Sequence, residues 1–269
     1  MPYVFDFTSD QHQVIERIAD LEFYHSYTLS NGLHIPGWWD VSRSIEGYPF
    51  PTQMKGMRVL DIGPASGWFS FYFERLGADV TVVEVRGRGD FDRYGDWRHR
   101  EPDRAPDRTW QGKPVWFGPL SASFWAMHDV FSSNVRWVNG RVYDVSPELF
   151  PDAFDLVFMG HVLLHLRDPI GALCAARSVC HGSCIAATLD WPEHEENPFP
   201  VQQLPWTHLD PYSWWMPNKA ALAHWMTAAG FGNVDVDRRL TVYPDREKRD
   251  ATGRVVNAVY PSRIAVGWA

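Results

Sequence analysis

The stretch from Arg58 to Glu84, RVLDIGPASGWFSFYFERLGADVTVVE, constrains this chain more than any other. Val59, Leu60 and Ile62 form an apolar run that carries Asp61 and enters Gly63, and a short loop leads to Gly67. Trp68, Phe69, Phe71, Tyr72 and Leu76 then recur at helical spacing, Gly77 ends that helix, and Val80 to Val85 reads as a second strand bearing Glu84. Strand, turn, helix and strand in this order open a doubly wound α/β domain. Glycines in the turn let backbone approach a ligand closely, and the helix N-terminus offers it unpaired N–H groups. An acid closing the second strand, about 20 residues on, suits a ribose diol.

Two cofactor classes use this layout. A dinucleotide asks for Gly-x-Gly-x-x-Gly, so that its pyrophosphate sits on the helix end. The spacing in Asp61-Ile62-Gly63-Pro64-Ala65-Ser66-Gly67 is different. It resembles motif I of the class I S-adenosylmethionine (SAM) methyltransferases, Asp-x-Gly-x-Gly-x-Gly, with Ala65 in place of the middle glycine. The resemblance implies a Rossmann-like, seven-stranded doubly wound sheet with SAM as cofactor. It places Asp61, Gly63, Ala65, Ser66 and Gly67 along the methionine and ribose parts of SAM, and Glu84 on the ribose hydroxyls.

A leader precedes this unit. Residues 9–24 read as a helix capped by Asp10, with Val14, Ile15, Ile18 and Leu21 on one face. Asn31-Gly32 signals a turn across which Thr28-Leu29 and His34-Ile35 can pair. The pattern Tyr24-His25-Ser26, Leu29, Gly32 and Pro36-Gly37-Trp38-Trp39-Asp40 is similar to the N-terminal motif of the tRNA wobble-uridine methyltransferase-like family. That family includes carboxymethyl-transferring enzymes and small-molecule-modifying relatives. The likeness continues in residues 159–173, MGHVLLHLRDPIGAL, and 216–231, MPNKAALAHWMTAAGF. In the carboxymethyl-transferring members the strand-end motif resembles Val-Leu-Tyr-His, and the Tyr contacts the donor's extra carboxylate. Leu164 stands there in this chain and cannot donate that hydrogen bond. Ordinary SAM and a small-molecule acceptor, as in secondary metabolism, follow from the resemblance.

The formal net charge of −8 also argues against a nucleic-acid partner, which usually requires a basic face. A tRNA-modifying enzyme stays as the alternative and calls for a basic stripe within Arg86 to Arg108. A third reading, a SAM-fold binding module without catalysis, is opposed by the intact set Asp61, Gly63, Gly67, Glu84 and Asp144.

The remaining chain fits a cap over residues 1–50 and a SAM-binding domain over 51–269. That domain carries a loop insertion at 86–119, rich in Arg and Asp and without apolar period, and a Pro-rich lid at 190–216. Between them the pattern gives a helix over 120–131, a strand over 135–138 and a nearly continuous apolar strand over 154–159. A helix capped by Asp168 with Pro169 at its first position should run to about Cys180 and close at Gly182. A strand over 183–189, a helix capped by Asn218, and antiparallel strands at 234–236, 240–243 and 263–268 complete the sheet. The family resemblance assigns Asp144 to the adenine amino group and Val145 to its ring. The competing reading has Asp144 capping the turn before Pro147.

Methyl transfer needs alignment, exclusion of water and, for a hydroxyl or ammonium nucleophile, a base active near neutrality. Gly160 and His161 follow the central strand at its carboxyl end, where open α/β sheets bind ligands. His161 is therefore the candidate base, and a mechanism by proximity alone stays open. With 14 Trp, 10 Tyr and 16 Phe, aromatic residues are abundant, and those in loops suit pocket linings. His25, Trp38, Trp39, His165, His208 and Trp214 are the candidate substrate contacts. His161 and His165 lack the glutamate of a His-Glu-x-x-His site, so no metal is expected. Three clustered cysteines, Cys174, Cys180 and Cys184, read as reduced, buried thiols. No signal peptide and no membrane span are expected, and the chain reads as cytoplasmic.

Overall fold

A computed structural model of the chain describes residues 2–7, 10–18, 21–85, 92, 108–110, 113–115, 118–190, 192–199, 202–203, 214–245 and 260–269. The strands in chain order are β1 (Tyr27–Thr28), β2 (His34–Ile35), β3 (Trp39–Asp40), β4 (Arg58–Ile62), β5 (Asp79–Glu84), β6 (Arg108–Trp110) and β7 (Lys113–Val115). They continue with β8 (Arg136–Asn139), β9 (Phe154–Gly160), β10 (Cys180–Leu189), β11 (Gln202–Gln203), β12 (Met216–Pro217), β13 (Asn233–Pro244) and β14 (Tyr260–Trp268). The helices are α1 (Gln11–Ile18), α2 (Trp68–Arg75), α3 (Gly118–Val130), α4 (Pro169–Ser178) and α5 (Lys219–Ala228).

Eight strands form the central sheet in the order β3-β13-β14-β10-β9-β4-β5-β8. The five from β10 to β8 are parallel, while β14 runs antiparallel between β10 and β13. The chain steps outward from β4 through β5 to β8, then returns to β9 on the other side of β4. The reversal leaves a crevice at the carboxyl ends of β4 and β9, the usual ligand position in such sheets. The eighth strand, β3, comes from the leader and adds to the outer edge of β13 through Tyr243–Asp40 and Pro244–Trp39 pairs.

Alternation along each strand divides the core. Val59, Val82, Leu156, Phe158, Ile185 and Ile264 face α2, α3 and the leader. Leu60, Ile62, Val157, Met159, Ala186 and Ala265 face α4 and α5. Both faces of β9 are covered, which explains its unbroken apolar sequence. The leader packs into the first cluster: Phe5, Phe23, Tyr27 and Leu29 are all fully buried. Phe5 stacks on Phe131 with ring centroids 5.1 Å apart and meets Trp68 edge-on at 5.3 Å.

Several local signals appear as read. The Asn31-Gly32 hairpin forms, with Tyr27 and Thr28 paired to Ile35 and His34, so its first strand lies one residue earlier than the expected Thr28-Leu29. Asp168 accepts from Gly171 N, and Asn218 accepts from Ala221 N. Others differ for tertiary reasons. The helix expected over 9–24 is only Gln11–Ile18, and Leu21–Tyr24 is not helical. There the Phe23 and Tyr24 carbonyls accept from Trp38 N–H, each at 3.1 Å, tying the segment to the start of β3. Helix α4 stops at Ser178, and Gly182 lies inside β10 instead of closing the helix. A Cβ on Gly182 would come within 2.1 Å of the Asp155 carbonyl oxygen, so glycine serves close backbone approach at a register shift. The two strands expected near 234–243 are one, β13, bulged between Asp235 and Arg238. Within the insertion, β6 and β7 form a short hairpin where a structureless loop was expected. Cys180 and Cys184 are buried, whereas Cys174 is exposed on α4.

Candidate active site

The loop after β4 gets its shape from left-handed backbone. Gly63, Ala65 and Gly67 have φ of 73°, 51° and 86°. Gly63 N–H donates to Val83 O at 2.9 Å, and Gly67 N–H to Pro64 O at 2.8 Å, so the turn is closed on both sides. A Cβ on Gly63 would lie 2.7 Å from Val162 Cγ2, because the segment after β9 passes directly over the loop. Gly67 is the N-cap of α2, and a Cβ there would meet Phe71 and Phe124 at 2.6 Å. Ala65 adopts the same region without glycine's freedom, at a cost of about 1–2 kcal/mol.

Two carboxyls flank this loop. Asp61 is buried with 2% exposure and accepts from Ser70 Oγ–H on α2 at 2.5 Å. Burial pushes its carboxyl up to about 7, against the opposing effect of the Ser70 bond. Glu84 closes β5 and accepts from Val85 N–H at 2.8 Å and from Ala65 N–H. Burial likewise raises it to about 7, with the Asp61 charge adding to the effect. Among the described residues neither carboxylate forms an ion pair with Lys, Arg or His. A buried and a partly buried acid, without a countercharge among the described residues and beside a loop with glycine-type geometry, suit a ligand bearing a cation and hydroxyl donors. SAM has a sulfonium, an ammonium and a ribose diol, so this donor set fits it.

Asp144 ends a short 3₁₀ turn beyond β8 and is exposed. Its Oδ2 accepts from Arg141 N–H at 2.9 Å, so the capping role is present, while the exposed carboxylate keeps acceptor capacity. Val145 is 2% exposed within the apolar cluster around Leu60, Ile62 and Val83. Ser66 is fully buried and directed at the leader: its Oγ accepts from His25 N–H at 2.9 Å and lies 3.4 Å from His25 Nδ1. Tyr27 Oη donates to Ser66 O at 2.6 Å. The leader is thereby fastened to the motif loop itself.

His161 follows Gly160 with φ of 56°, a strained value for a residue with a side chain. Its N–H donates to Ala187 O at 2.8 Å, and its Nε2 lies 2.8 Å from Ser262 Oγ on β14. Burial lowers the imidazole to about 4, with His165 as the second cause. His25 is lowered to about 3 by burial and then by His161. The leader and the end of β9 thus bring two neutral imidazoles into mutual range. His25 also meets Phe69 edge-on at 5.7 Å. Tyr48 is buried against Phe69 and Phe158 in the core cluster beneath it.

The other candidates are dispersed. Trp38 is exposed and donates through Nε1 to Glu22 at 2.8 Å, and Trp39 packs edge-on against Tyr260 at 5.2 Å. Trp214 donates through Nε1 to Asp92 O at 2.9 Å. Asp92 also accepts from Tyr143 Oη–H at 2.6 Å and Arg167 N–H at 2.8 Å, joining the insertion to the rim beside Asp144. His208 lies outside the described residues, as does nearly all of the Arg86 to Arg108 stretch. Ser70, Ser262, Tyr48 and Asp92 were not legible as site residues. Ser70 follows Asp61 by nine positions, a weak signal, and the others join the site only through folding.

Among the described residues, no group of three His, Cys, Asp or Glu is placed to hold a metal, and no helix is long and apolar enough to cross a membrane.

A reversed-order parallel sheet, an antiparallel strand inserted between β10 and β13 and an acid-flanked glycine loop at the switch point define a class I SAM-dependent methyltransferase. The chain belongs to the methyltransferase domain family, whose model matches residues 44–236. It is 25% identical over 206 residues to the tRNA U34 carboxymethyltransferase of Pseudomonas putida (strain GB-1), covering 76% of this chain and 54% of that protein. It is 26% identical over 181 residues to the tRNA U34 carboxymethyltransferase of Dichelobacter nodosus (strain VCS1703A), covering 66% and 46%. The chain therefore spans about half the length of these curated relatives. In fold it is similar to the N-terminal domain of EvdMO1, crystallised with S-adenosylhomocysteine (SAH) bound, at a TM-score of 0.59 and 16% identity over 97% of this chain and 98% of that one.

Proposed function

We propose that the protein transfers a methyl group from SAM to an oxygen or nitrogen of a small molecule. When bound, SAM supplies an activated methyl carbon on a sulfonium. Glu84 would hold the ribose hydroxyls, Asp61 the cationic methionine end, and Asp144 the adenine amine. The chain's own contribution is to orient the acceptor, exclude water and accept its proton. The observation that carries this reading is His161, a neutral imidazole at the carboxyl end of β9 opposite the motif loop. A neutral imidazole has a lone pair for the proton of a hydroxyl or an ammonium, and the burial that lowers it to about 4 makes it a weak base unless the bound ligand raises it.

The alternative is wobble-uridine modification, favoured by the sequence likeness to the two tRNA U34 carboxymethyltransferases. Against it, Leu164 is 6% exposed, and its carbonyl oxygen accepts from Trp214 N–H at 2.6 Å. No hydroxyl for a donor carboxylate stands at that position. Calorimetric titration with SAM and SAH, followed by acceptor screening with small molecules and then unmodified tRNA, separates the readings. Micromolar binding of both ligands and turnover on a small molecule support the proposal. Binding of neither overturns it, and salt-sensitive turnover on tRNA replaces it with the alternative.

A further inference from the structure

The motif loop closes on one peptide group, and part of its restraint comes from outside the loop. Gly67 must lack a Cβ, which would meet Phe71 and Phe124 at 2.6 Å. The same lack opens φ of either sign to its backbone, so the Ser66–Gly67 peptide can turn over in place. That peptide is held at both ends. Its N–H, on Gly67, donates to Pro64 O at 2.8 Å within the turn, and its carbonyl, on Ser66, accepts from Tyr27 Oη–H at 2.6 Å. A carbonyl only accepts, so the phenol is the donor. Tyr27 lies in β1 of the leader, 39 positions before Ser66, and is fully buried. The rings of Phe5, Phe23 and Phe131 surround it with centroids 5.4, 6.0 and 6.1 Å away, which fixes the hydroxyl in place. Burial also raises the phenol well above its ordinary value, so it stays a donor at neutral pH. The leader makes a second attachment to the same residue, where His25 N–H donates to Ser66 Oγ at 2.9 Å.

Resting on the reading of this loop as the SAM site, we infer that Tyr27 is a positioning residue for the cofactor. It acts through the Ser66–Gly67 peptide, whose orientation it fixes. Turning that peptide over would carry Gly67 away from its φ of 86° and put a carbonyl dipole where an N–H stands, at the entry to α2. The turned loop would also lose the Gly67–Pro64 bond that closes it, beside Ala65, whose N–H holds Glu84. The leader is thereby a part of the cofactor site as well as a cover for the core. Without the phenol, the empty loop samples both orientations and a ligand must select one, which lowers the apparent affinity by the fraction lost.

The test is calorimetric titration of the full chain with SAH, beside ¹⁵N relaxation dispersion at the Gly67 amide without ligand. Tyr27→Phe keeps the ring and removes only the hydroxyl. It should weaken SAH binding about fivefold, the factor one net hydrogen bond supplies. It should also introduce microsecond-to-millisecond exchange at Gly67, where wild type shows none. Val14→Ala truncates a buried leader residue on α1 and reports the effect of lost stability alone, so it should bind SAH as wild type does. Wild-type SAH affinity in Tyr27→Phe, a flat Gly67 profile in that variant, or an equal loss of affinity in Val14→Ala overturns the inference. Glu84→Gln tests the reading beneath it. Unchanged SAH affinity in Glu84→Gln overturns the loop assignment and the inference together, whereas lost affinity there beside wild-type affinity in Tyr27→Phe overturns the inference alone.

Discussion

Cofactor binding should release protons near neutral pH. Asp61 and Glu84 are both pushed up to about 7 by burial, and no cation among the described residues offsets this. At pH 7 each carboxyl is about half protonated, so a cationic ligand that draws both into the ionised form displaces about one proton in all. At pH 8 the same arithmetic leaves only about 0.2. The assay is isothermal titration with SAM in buffers of different ionisation enthalpy, phosphate and Tris for example. The slope of observed against buffer enthalpy gives the proton count. Asp61→Asn should roughly halve it. Below pH 7 the affinity should weaken as pH falls, approaching a hundredfold per pH unit if both acids must ionise. The apo protein follows the same linkage. Acids with raised folded-state values favour the native state fully below about pH 4 and lose that contribution as pH rises through 7. Asp61→Asn should therefore stabilise the apo protein at pH 8, with a ceiling of about 4 kcal/mol from a shift of roughly 3 units. A buffer slope of zero at pH 7, or an unchanged slope in Asp61→Asn, would refute the reasoning.

Three further outcomes are expected. His161→Ala should lower turnover about 10²- to 10⁴-fold with SAM affinity unchanged, as read by steady-state kinetics beside calorimetry; wild-type turnover removes it as base. Ala65→Gly should relieve left-handed strain at φ 51° and raise stability by about 0.5–1 kcal/mol after glycine's entropic cost, measured by thermal unfolding; a lower melting temperature contradicts the strain argument. Arg263, 2% exposed, bonds Asp190 through Nε at 2.9 Å and also meets Glu195, while Arg239 bonds both acids, so β13, β14 and the segment that follows β10 share one ion cluster. Arg263→Leu should cost about 1–3 kcal/mol in urea unfolding, less than a stranded buried charge, because Arg239 still pairs Asp190, and no measurable loss would show that the cluster adds little.

Much of the frame is written locally. The unit β4–loop–α2–β5 follows from apolar spacing and from glycines at left-handed positions, properties of adjacent residues. The Asp168 and Asn218 caps and the Asn31-Gly32 hairpin are local for the same reason: each satisfies backbone groups within a few positions. The strand-end positions of Asp61, Glu84 and His161 were legible because apolar runs and the residues that close them are local features. Contacts across the fold carry no such periodic trace. Gly182 looks like a helix stop in sequence, yet its lack of a Cβ answers to the Asp155 carbonyl on a neighbouring strand. Ser66 reads as a cofactor-loop serine, but the leader takes up its hydroxyl and carbonyl. Ser262 has no motif at all, and it reaches His161 only because β14 runs antiparallel between β10 and β13. Hydrophobic period and turn chemistry act over a few residues and set the elements. Which polar groups meet is settled by the order in which strands pack, because a buried donor or acceptor must find its partner wherever the sheet brings one.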